Sequence, residues 1–359
     1  MHPRCCWLPT TTLLLKGSTT PRRLARALSI QSNEKKAVLV TGSKGQIGTE
    51  LVEYLRGQYP KVIATDIRGG DHYLDVSAKD TTLLERLVVE NDVGCVVHLA
   101  AVLSAAAERD AAAALRVNNG GTEMVLEVAR RHALRVFVPS SIAVYGAGTP
   151  KRARENSPAR PSTIYGVSKV YGEMLGEYYH ERHGLDFRSL RIPGVISSKA
   201  MPGGGTTDWA VEIFYDAIRR SRYSCFLSPT TSLPMVYIDD LIKGIATFIQ
   251  VPRSRLARST YNVGAFSVSP ANLAEAIRAE LPFDCDYRIS ALRQAIADTW
   301  PESLDDSAAR RDWDWNPTFD LRATTTTMIE LLSNRLASAE RAISLRPHHP
   351  VATLVAAST

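Results

Sequence analysis

The short apolar run Ala37-Val38-Leu39-Val40-Thr41 leads directly into Gly42-Ser43-Lys44-Gly45-Gln46-Ile47-Gly48. A helical pattern follows, with Ile47, Leu51, Val52 and Leu55 on one face. An apolar run of this length bounded by glycine reads as a buried strand. Glycines at three-residue spacing permit a tight turn and let backbone N–H groups approach a pyrophosphate. The N-terminus of the helix behind them adds about half a positive charge. Strand, glycine turn and helix together form the opening unit of a doubly wound parallel sheet, which constrains everything downstream.

The alternation continues. Lys61–Thr65 reads as a second strand, Thr82–Asn91 as an amphipathic helix and Cys95–Leu99 as a third strand. Thr122–His132 reads as a helix and Arg135–Val138 as a fourth strand. The fold class expected is α/β, a parallel sheet with helices on both faces and ligands at the carboxyl ends of the strands. The second half is more mixed, with helical patterns at 164–183, 208–220, 240–250 and 270–280. Strand-like pieces lie at 187–191, 235–238 and 260–263, and Pro193–Gly205 reads as a loop suited to a substrate lid. This divides the chain into a dinucleotide-binding part at 34–191 and a smaller interleaved substrate-binding part at 192–331. The remainder, 332–359, reads as a frayed tail.

Charge narrows the function class. The 359-residue chain carries a formal +6, and Arg4, Lys16, Arg22, Arg23 and Arg26 lie in residues 1–33 without a single acid. The leader thus holds five of the six net charges, and the near-neutral body does not support a nucleic-acid-binding surface. A leader rich in Arg, Ser and Thr has the composition of a transit peptide, pointing to the mitochondrial matrix. No apolar run approaches the roughly 18 residues of a membrane span. The five cysteines, Cys5, Cys6, Cys95, Cys225 and Cys285, include no CxxC pair beyond the leader, so neither a disulfide framework nor a metal site is expected.

Asp66 stands 18 residues beyond Gly48, at the end of the second strand. A carboxylate there accepts hydrogen bonds from ribose hydroxyls and repels a 2′-phosphate, which argues for NAD over NADP, although Arg68 nearby is able to accept that phosphate. Asp75-Val76 is placed either to touch the adenine or to cap the next helix.

Tyr165 and Lys169 share one helix face at i and i+4. A phenol with a pKa near 10 is a weak base at neutral pH, and a neighbouring ammonium favours phenolate. Ser140 and Ser141 follow the fourth strand, where a hydroxyl is placed to hold a reacting oxygen. The combination resembles the extended short-chain dehydrogenases/reductases. The residues carrying it are the three glycines, Val97-His98-Leu99-Ala100-Ala101, Ser140–Gly146, Tyr165 and Lys169. The resemblance assigns the active-site serine to Ser141 rather than Ser140.

Longer runs are similar to the L-threonine 3-dehydrogenases of that family: Arg160–Lys169, Ser189–Ser197, Pro202–Val211, Leu233–Asp240 and Ile296–Pro301. Ile192 departs from the pattern, where a Tyr is expected. The resemblance implies a cofactor set of Gly42, Ser43, Lys44, Gly45, Gln46, Ile47, Gly48, Asp66, Ile67, Arg68, Asp75, Val76, Leu99, Ala100, Ala101, Asn118, Tyr165, Lys169 and Ile192. It implies a substrate set of Ser104, Ser141, Tyr165, Gly205, Thr206 and Thr207, with Tyr165, Lys169 and Ser141 catalytic. Ser104 has a second reading as a helix N-cap, as do Thr206 and Thr207. Trp300 reads as packing. The implied reaction is NAD-dependent oxidation of the C3 hydroxyl of L-threonine, in a homodimer, with its product passed to a 2-amino-3-oxobutyrate CoA ligase. The competing readings are an NAD-retaining nucleotide-sugar epimerase/dehydratase on the same scaffold and a non-catalytic NAD-binding protein.

Overall fold

The computed structural model describes residues 36–344 apart from residue 79 and residues 200–204. The basic leader and part of the expected lid loop therefore lie outside the described residues.

In chain order the first half contains β1 (Ala37–Thr41), α1 (Gln46–Arg56), β2 (Val62–Asp66), β3 (His72–Tyr73), α2 (Thr82–Glu90) and β4 (Val93–His98). It continues with α3 (Ser104–Arg109), α4 (Ala111–Leu115), α5 (Gly121–Arg131), β5 (Arg135–Phe137), β6 (Ser140–Ser141), β7 (Arg152–Ala153), α6 (Ile164–His183) and β8 (Asp186–Ile192). The second half holds β9 (Gly194–Ile196), α7 (Trp209–Arg220), β10 (Arg222–Cys225), β11 (Leu233–Tyr237), α8 (Ile238–Phe248) and β12 (Thr260–Asn262). After these come β13 (Phe266–Val268), α9 (Pro270–Arg278), β14 (Asp284–Tyr287), α10 (Ala291–Ala297), β15 (Ser303–Leu304), α11 (Ser307–Trp313) and α12 (Leu321–Ser344).

The central sheet has the order β12-β8-β5-β4-β1-β2-β3, with β6 also paired to β8. Every pairing in it is parallel. The buried run of β1 has no polar face because helices cover both sides. Val38 and Val40 pack with Leu51 and Leu55 of α1 and Ile245 of α8. Ala37 and Leu39 pack with Leu84 and Leu87 of α2 and Val125 of α5. The chain crosses from β3 at one edge to β4 beside β1, so the sheet's switch point opens a crevice at the carboxyl ends of β1 and β4.

Three elements position the site. Helix α6 starts at Thr163, whose hydroxyl accepts the Gly166 N–H at 3.0 Å. A Cβ on Gly166 would fall 2.1 Å from the Ala143 carbonyl, so glycine lets α6 lie against the turn after β6. Helices α4 and α5 are joined through a π-helical turn at Arg116–Gly120, a geometry frequent near functional sites. Strand β12 returns late in the chain to pair with β8.

Two expectations need correction. The segment read as a loop from Pro193 opens with β9, which pairs in parallel with β11; Ile196 is fully buried there. Pro193 and Gly194 suggested a break, but a neighbouring strand outweighs local punctuation. The tail does not begin at 332: α12 runs through that position, Leu332 is fully buried, and the Arg335 guanidinium donates to the Ser198 carbonyl at 2.7 Å. Among the described residues no helix is long and apolar enough to cross a membrane.

Candidate active site

The crevice begins at the glycine turn. Gly42 has φ +68°, and a Cβ there would meet the Ala100 nitrogen at 2.5 Å. A Cβ on Gly48 would lie 2.2 Å from the Gly42 carbonyl oxygen. Helix α1 has no side-chain cap and no acid in its first turn, leaving its leading N–H groups available to an anion. A cradle that a Cβ would fill, closed by an uncapped helix start, fits a dinucleotide pyrophosphate. Ser43 and Lys44 stand apart from this lining. The Ser43 hydroxyl is buried without a partner, and the Lys44 N–H donates to Asp66 at 2.9 Å.

On one side of the turn lies a cavity of about 280 Å³, lined by Asp66, Ile67, Arg68, Asp75, Val76 and Ala100 among others. Burial opposes charge on Asp66, yet the N–H groups of Arg68 and Lys44 and the Arg68 guanidinium hold its carboxyl below the usual range. The Arg68 side chain thus lies on Asp66, at 3.3 Å. Asp75 accepts from the Ser77 N–H at 2.8 Å and from its hydroxyl at 2.7 Å, capping the turn at Val76–Ala78 while lining the cavity. Asp66→Ala is expected to weaken dinucleotide binding and to lower the ratio of NAD to NADP affinity. Titration of both dinucleotides checks this, and an unmoved preference ratio would remove Asp66 as the ribose reader.

On the other side a cleft of about 240 Å³ shares Gly42, Gly45, Leu99 and Ala101 with the first cavity. It is lined by Ser104, Ser141, Tyr165, Lys169, Ile192 and the Gly205–Thr207 segment. The Ser141 hydroxyl accepts the Ala143 N–H at 3.2 Å and lies near enough to the Tyr165 phenol to lower its pKa. The Ser140 hydroxyl instead turns away to donate to Glu173. The Lys169 ammonium lies 5.4 Å from the Tyr165 ring centroid and donates to the Pro139 carbonyl at 2.9 Å.

Tyr165 does not show the depression expected of it: burial pushes its phenol up to about 12, and the Ser141 hydroxyl only partly offsets this. Burial likewise pulls Lys169 down to about 8, against the pull of Glu173. The Lys169 ammonium is engaged by a backbone carbonyl and not by the phenol, so it gives the phenolate little support in this geometry.

Several assignments shift. Ser104 is the first helical residue of α3, not its cap, so its hydroxyl is not committed to that role. No side chain caps α7, which removes the capping reading of Thr206 and Thr207. The Gly205 N–H donates to the Asp208 carboxylate at 2.7 Å and is therefore engaged. Asn118 sits behind the crevice in the π-helical turn. Its amide braces Val102 through N–H and carbonyl at 2.8 and 3.1 Å and bonds the Ser168 hydroxyl at 3.0 Å. Trp300, read as packing, lines the cleft together with Leu103, Ile142, Pro193, Val195 and Asp208. No local pattern marks these residues; Trp300, Asp208, Pro193 and Val195 fall within the runs that carried the family resemblance.

Comparison with known proteins agrees with this geometry. Residues 38–264 match the model of the NAD dependent epimerase/dehydratase family. The chain is 43% identical over 344 residues to the mitochondrial L-threonine 3-dehydrogenase of Sus scrofa, an alignment covering 91% of this chain and 92% of that protein. The L-threonine dehydrogenase of Phytophthora infestans superposes with a TM-score of 0.81 at 44% identity, covering 83% of this chain and 99% of that one. A holo GalE-like L-threonine dehydrogenase from Cupriavidus necator superposes at 0.79 with 39% identity, covering 82% and 99%.

Proposed function

This chain belongs to the NAD-dependent epimerase/dehydratase family, and we propose that it is an oxidoreductase that converts L-threonine to L-2-amino-3-oxobutanoate. The observation that carries this is one cleft in which Ser141, Tyr165 and Lys169 converge beside the glycine cradle, with the Gly205–Thr207 segment on its wall.

The reaction removes a proton from the C3 hydroxyl and a hydride from C3. Gly42, Gly45 and the start of α1 would hold the dinucleotide pyrophosphate, Asp66 the adenosine ribose, and Lys169 the nicotinamide ribose. An oxidised nicotinamide bound there would supply the hydride acceptor and a positive charge. Ser141 and Tyr165 hold the substrate oxygen, and Tyr165 takes its proton. Its phenol, at about 12 in this geometry, needs added positive charge before it acts as a base near neutrality. Thr206, Thr207 and Ser104 offer hydroxyls for the carboxylate, and Asp208 brings a carboxylate to the same wall, the complement a substrate ammonium requires. Apolar Trp300, Leu103 and Val195 limit the rest of the space, which suits a small zwitterion.

NAD is favoured over NADP because Asp66 is ionised at the ribose end and Arg68 is engaged by it. A homodimer is supported by Val167, Met174 and Tyr178, which form an exposed apolar stripe along α6. The acid-free basic leader supports a matrix location. Fractionated organelles and sedimentation at twice the chain mass check these last two readings.

The central test is formation of reduced nicotinamide from NAD⁺ with L-threonine, allo-threonine, serine, 3-hydroxybutyrate and a UDP-sugar. Turnover with L-threonine is expected. An epimerase/dehydratase returns the hydride to its substrate, so conversion of the UDP-sugar without accumulation of reduced nicotinamide, followed by chromatography, would establish that reading. Dinucleotide binding with neither reduced nicotinamide nor sugar conversion would leave a binding protein.

A further inference from the structure

Helix α1 carries a buried carboxylate that neither the cradle nor the reaction uses. Glu50 stands one turn beyond Gln46, which lines the cleft, and is 7% exposed. Its Oε1 accepts the Ser197 hydroxyl at 2.8 Å. Its Oε2 lies 3.6 Å from the Lys199 ammonium, which also reaches Glu53 at 3.2 Å. Burial pushes the Glu50 carboxyl up and Asp239 adds to this, whereas Ser197 and Lys199 pull it down. An aliphatic side chain would fill the same place without the cost of burying a charge. What the carboxylate adds there is its bond to Ser197.

Ser197 is fully buried, and its oxygen accepts the Lys199 N–H at 3.2 Å, which leaves its one proton for Glu50. It directly follows β9, whose Gly194 and Val195 stand on the cleft wall. A Cβ on Gly194 would lie 3.1 Å from Thr207 Cβ, so β9 also backs the segment that offers hydroxyls to the substrate. The Ser198 carbonyl accepts the Tyr215 hydroxyl of α7 at 3.2 Å and the Arg335 guanidinium of α12 at 2.7 Å. A continuous path of contacts thus runs from the cofactor helix through Glu50, Ser197 and β9 to Thr207.

We propose that Glu50 is a positioning residue that ties the substrate wall to the cofactor helix. By holding Ser197 it fixes β9, and with it the contact between Gly194 and Thr207, at the spacing from the glycine cradle that L-threonine needs. The helix that starts at the pyrophosphate cradle then sets the place of both reactants, and seating the dinucleotide also steadies β9. The kinetic part of this inference rests on the threonine-oxidation reading; the link between α1 and β9 stands apart from it.

The test uses the full chain and has two arms. In steady-state kinetics Ser197→Ala and Glu50→Leu should each raise the KM for L-threonine by about 10-fold. Their kcat and their NADH Kd, from fluorescence titration, should stay within about twofold of the parent. The double variant should be no worse than the poorer single one, because both changes break one bond. Glu50→Gln keeps an oxygen for Ser197 and should hold KM near that of the parent. In the second arm, hydrogen exchange is followed by mass spectrometry. NADH should slow exchange in both α1 and β9 of the parent; in Ser197→Ala the slowing should persist in α1 and vanish from β9. An unmoved KM, additive effects, a Gln variant as impaired as the Leu variant, or an equal loss of NADH affinity would overturn the positioning role. Slowing of β9 that survives Ser197→Ala would overturn the link itself. A parent protein that never oxidises L-threonine would sink the functional reading, while the exchange data would still decide the link.

Discussion

Tyr165→Phe is expected to lower kcat by at least about 10²-fold while cofactor affinity stays unchanged. Phenylalanine preserves the ring and its packing and deletes only the hydroxyl. That hydroxyl lies beside Ser141 on the wall of the cleft, and no other described residue offers a phenol there. The neighbouring ionisable group is Lys169, whose ammonium is already bonded to the Pro139 carbonyl. It is poorly placed to take over the proton. Steady-state kinetics with L-threonine, paired with a direct dinucleotide titration, separates the cases. An unchanged kcat would exclude Tyr165 from proton transfer, and a parallel loss of dinucleotide affinity would reveal a structural role instead.

Gly48→Ala is expected to weaken dinucleotide binding by about 10²-fold, near 2.7 kcal/mol, and to lower the melting temperature. Alanine would ordinarily stabilise a helix by about 1 kcal/mol relative to glycine. Here its methyl would sit 2.2 Å from the Gly42 carbonyl oxygen and 2.9 Å from Ser43 Cα, both backbone atoms with no rotamer by which to escape. The start of α1 has to move off the turn, and the cradle opens. The sign of the thermal shift is therefore diagnostic: a rise would mean the helix gained and the turn gave way easily. Fluorescence titration with NADH measures the affinity, and an unaltered Kd would show that the pyrophosphate lies elsewhere.

The parts of the molecule legible in sequence are those whose determinants are adjacent along it. The glycine turn lies between the strand and the helix it joins, so three glycines at two equal spacings sufficed. Tyr165 and Lys169 were legible because one helical turn separates them, and the sequence reading of 164–183 coincides with α6. Residues brought in by tertiary packing left no local trace. Trp300 and Val195 reach the cleft from separate segments, and neither sits in a pattern that marks a ligand contact. Strand β9 was hidden by Pro193 and Gly194, because its stability comes from pairing with β11 across the fold. The part of helix α12 from residue 332 onward was misjudged as a tail since Leu332 is buried by partners far away in sequence. The phenol's pKa was misdirected for a related reason. Spacing placed Lys169 beside Tyr165 but was blind to the burial of both groups and to the carbonyl that draws the ammonium aside.

The late return of β12 has a consequence for how the protein is made. During translation β8 leaves the ribosome with one flank unsatisfied, and its partner Thr260–Asn262 emerges only after β9, α7, β10, β11 and α8 have been synthesised. Until then the nascent nucleotide-binding half exposes backbone donors and acceptors that any other extended peptide is able to take. Aggregation risk is thus concentrated in the unfinished polypeptide, whereas the completed one presents a three-residue border strand too short to serve as a template.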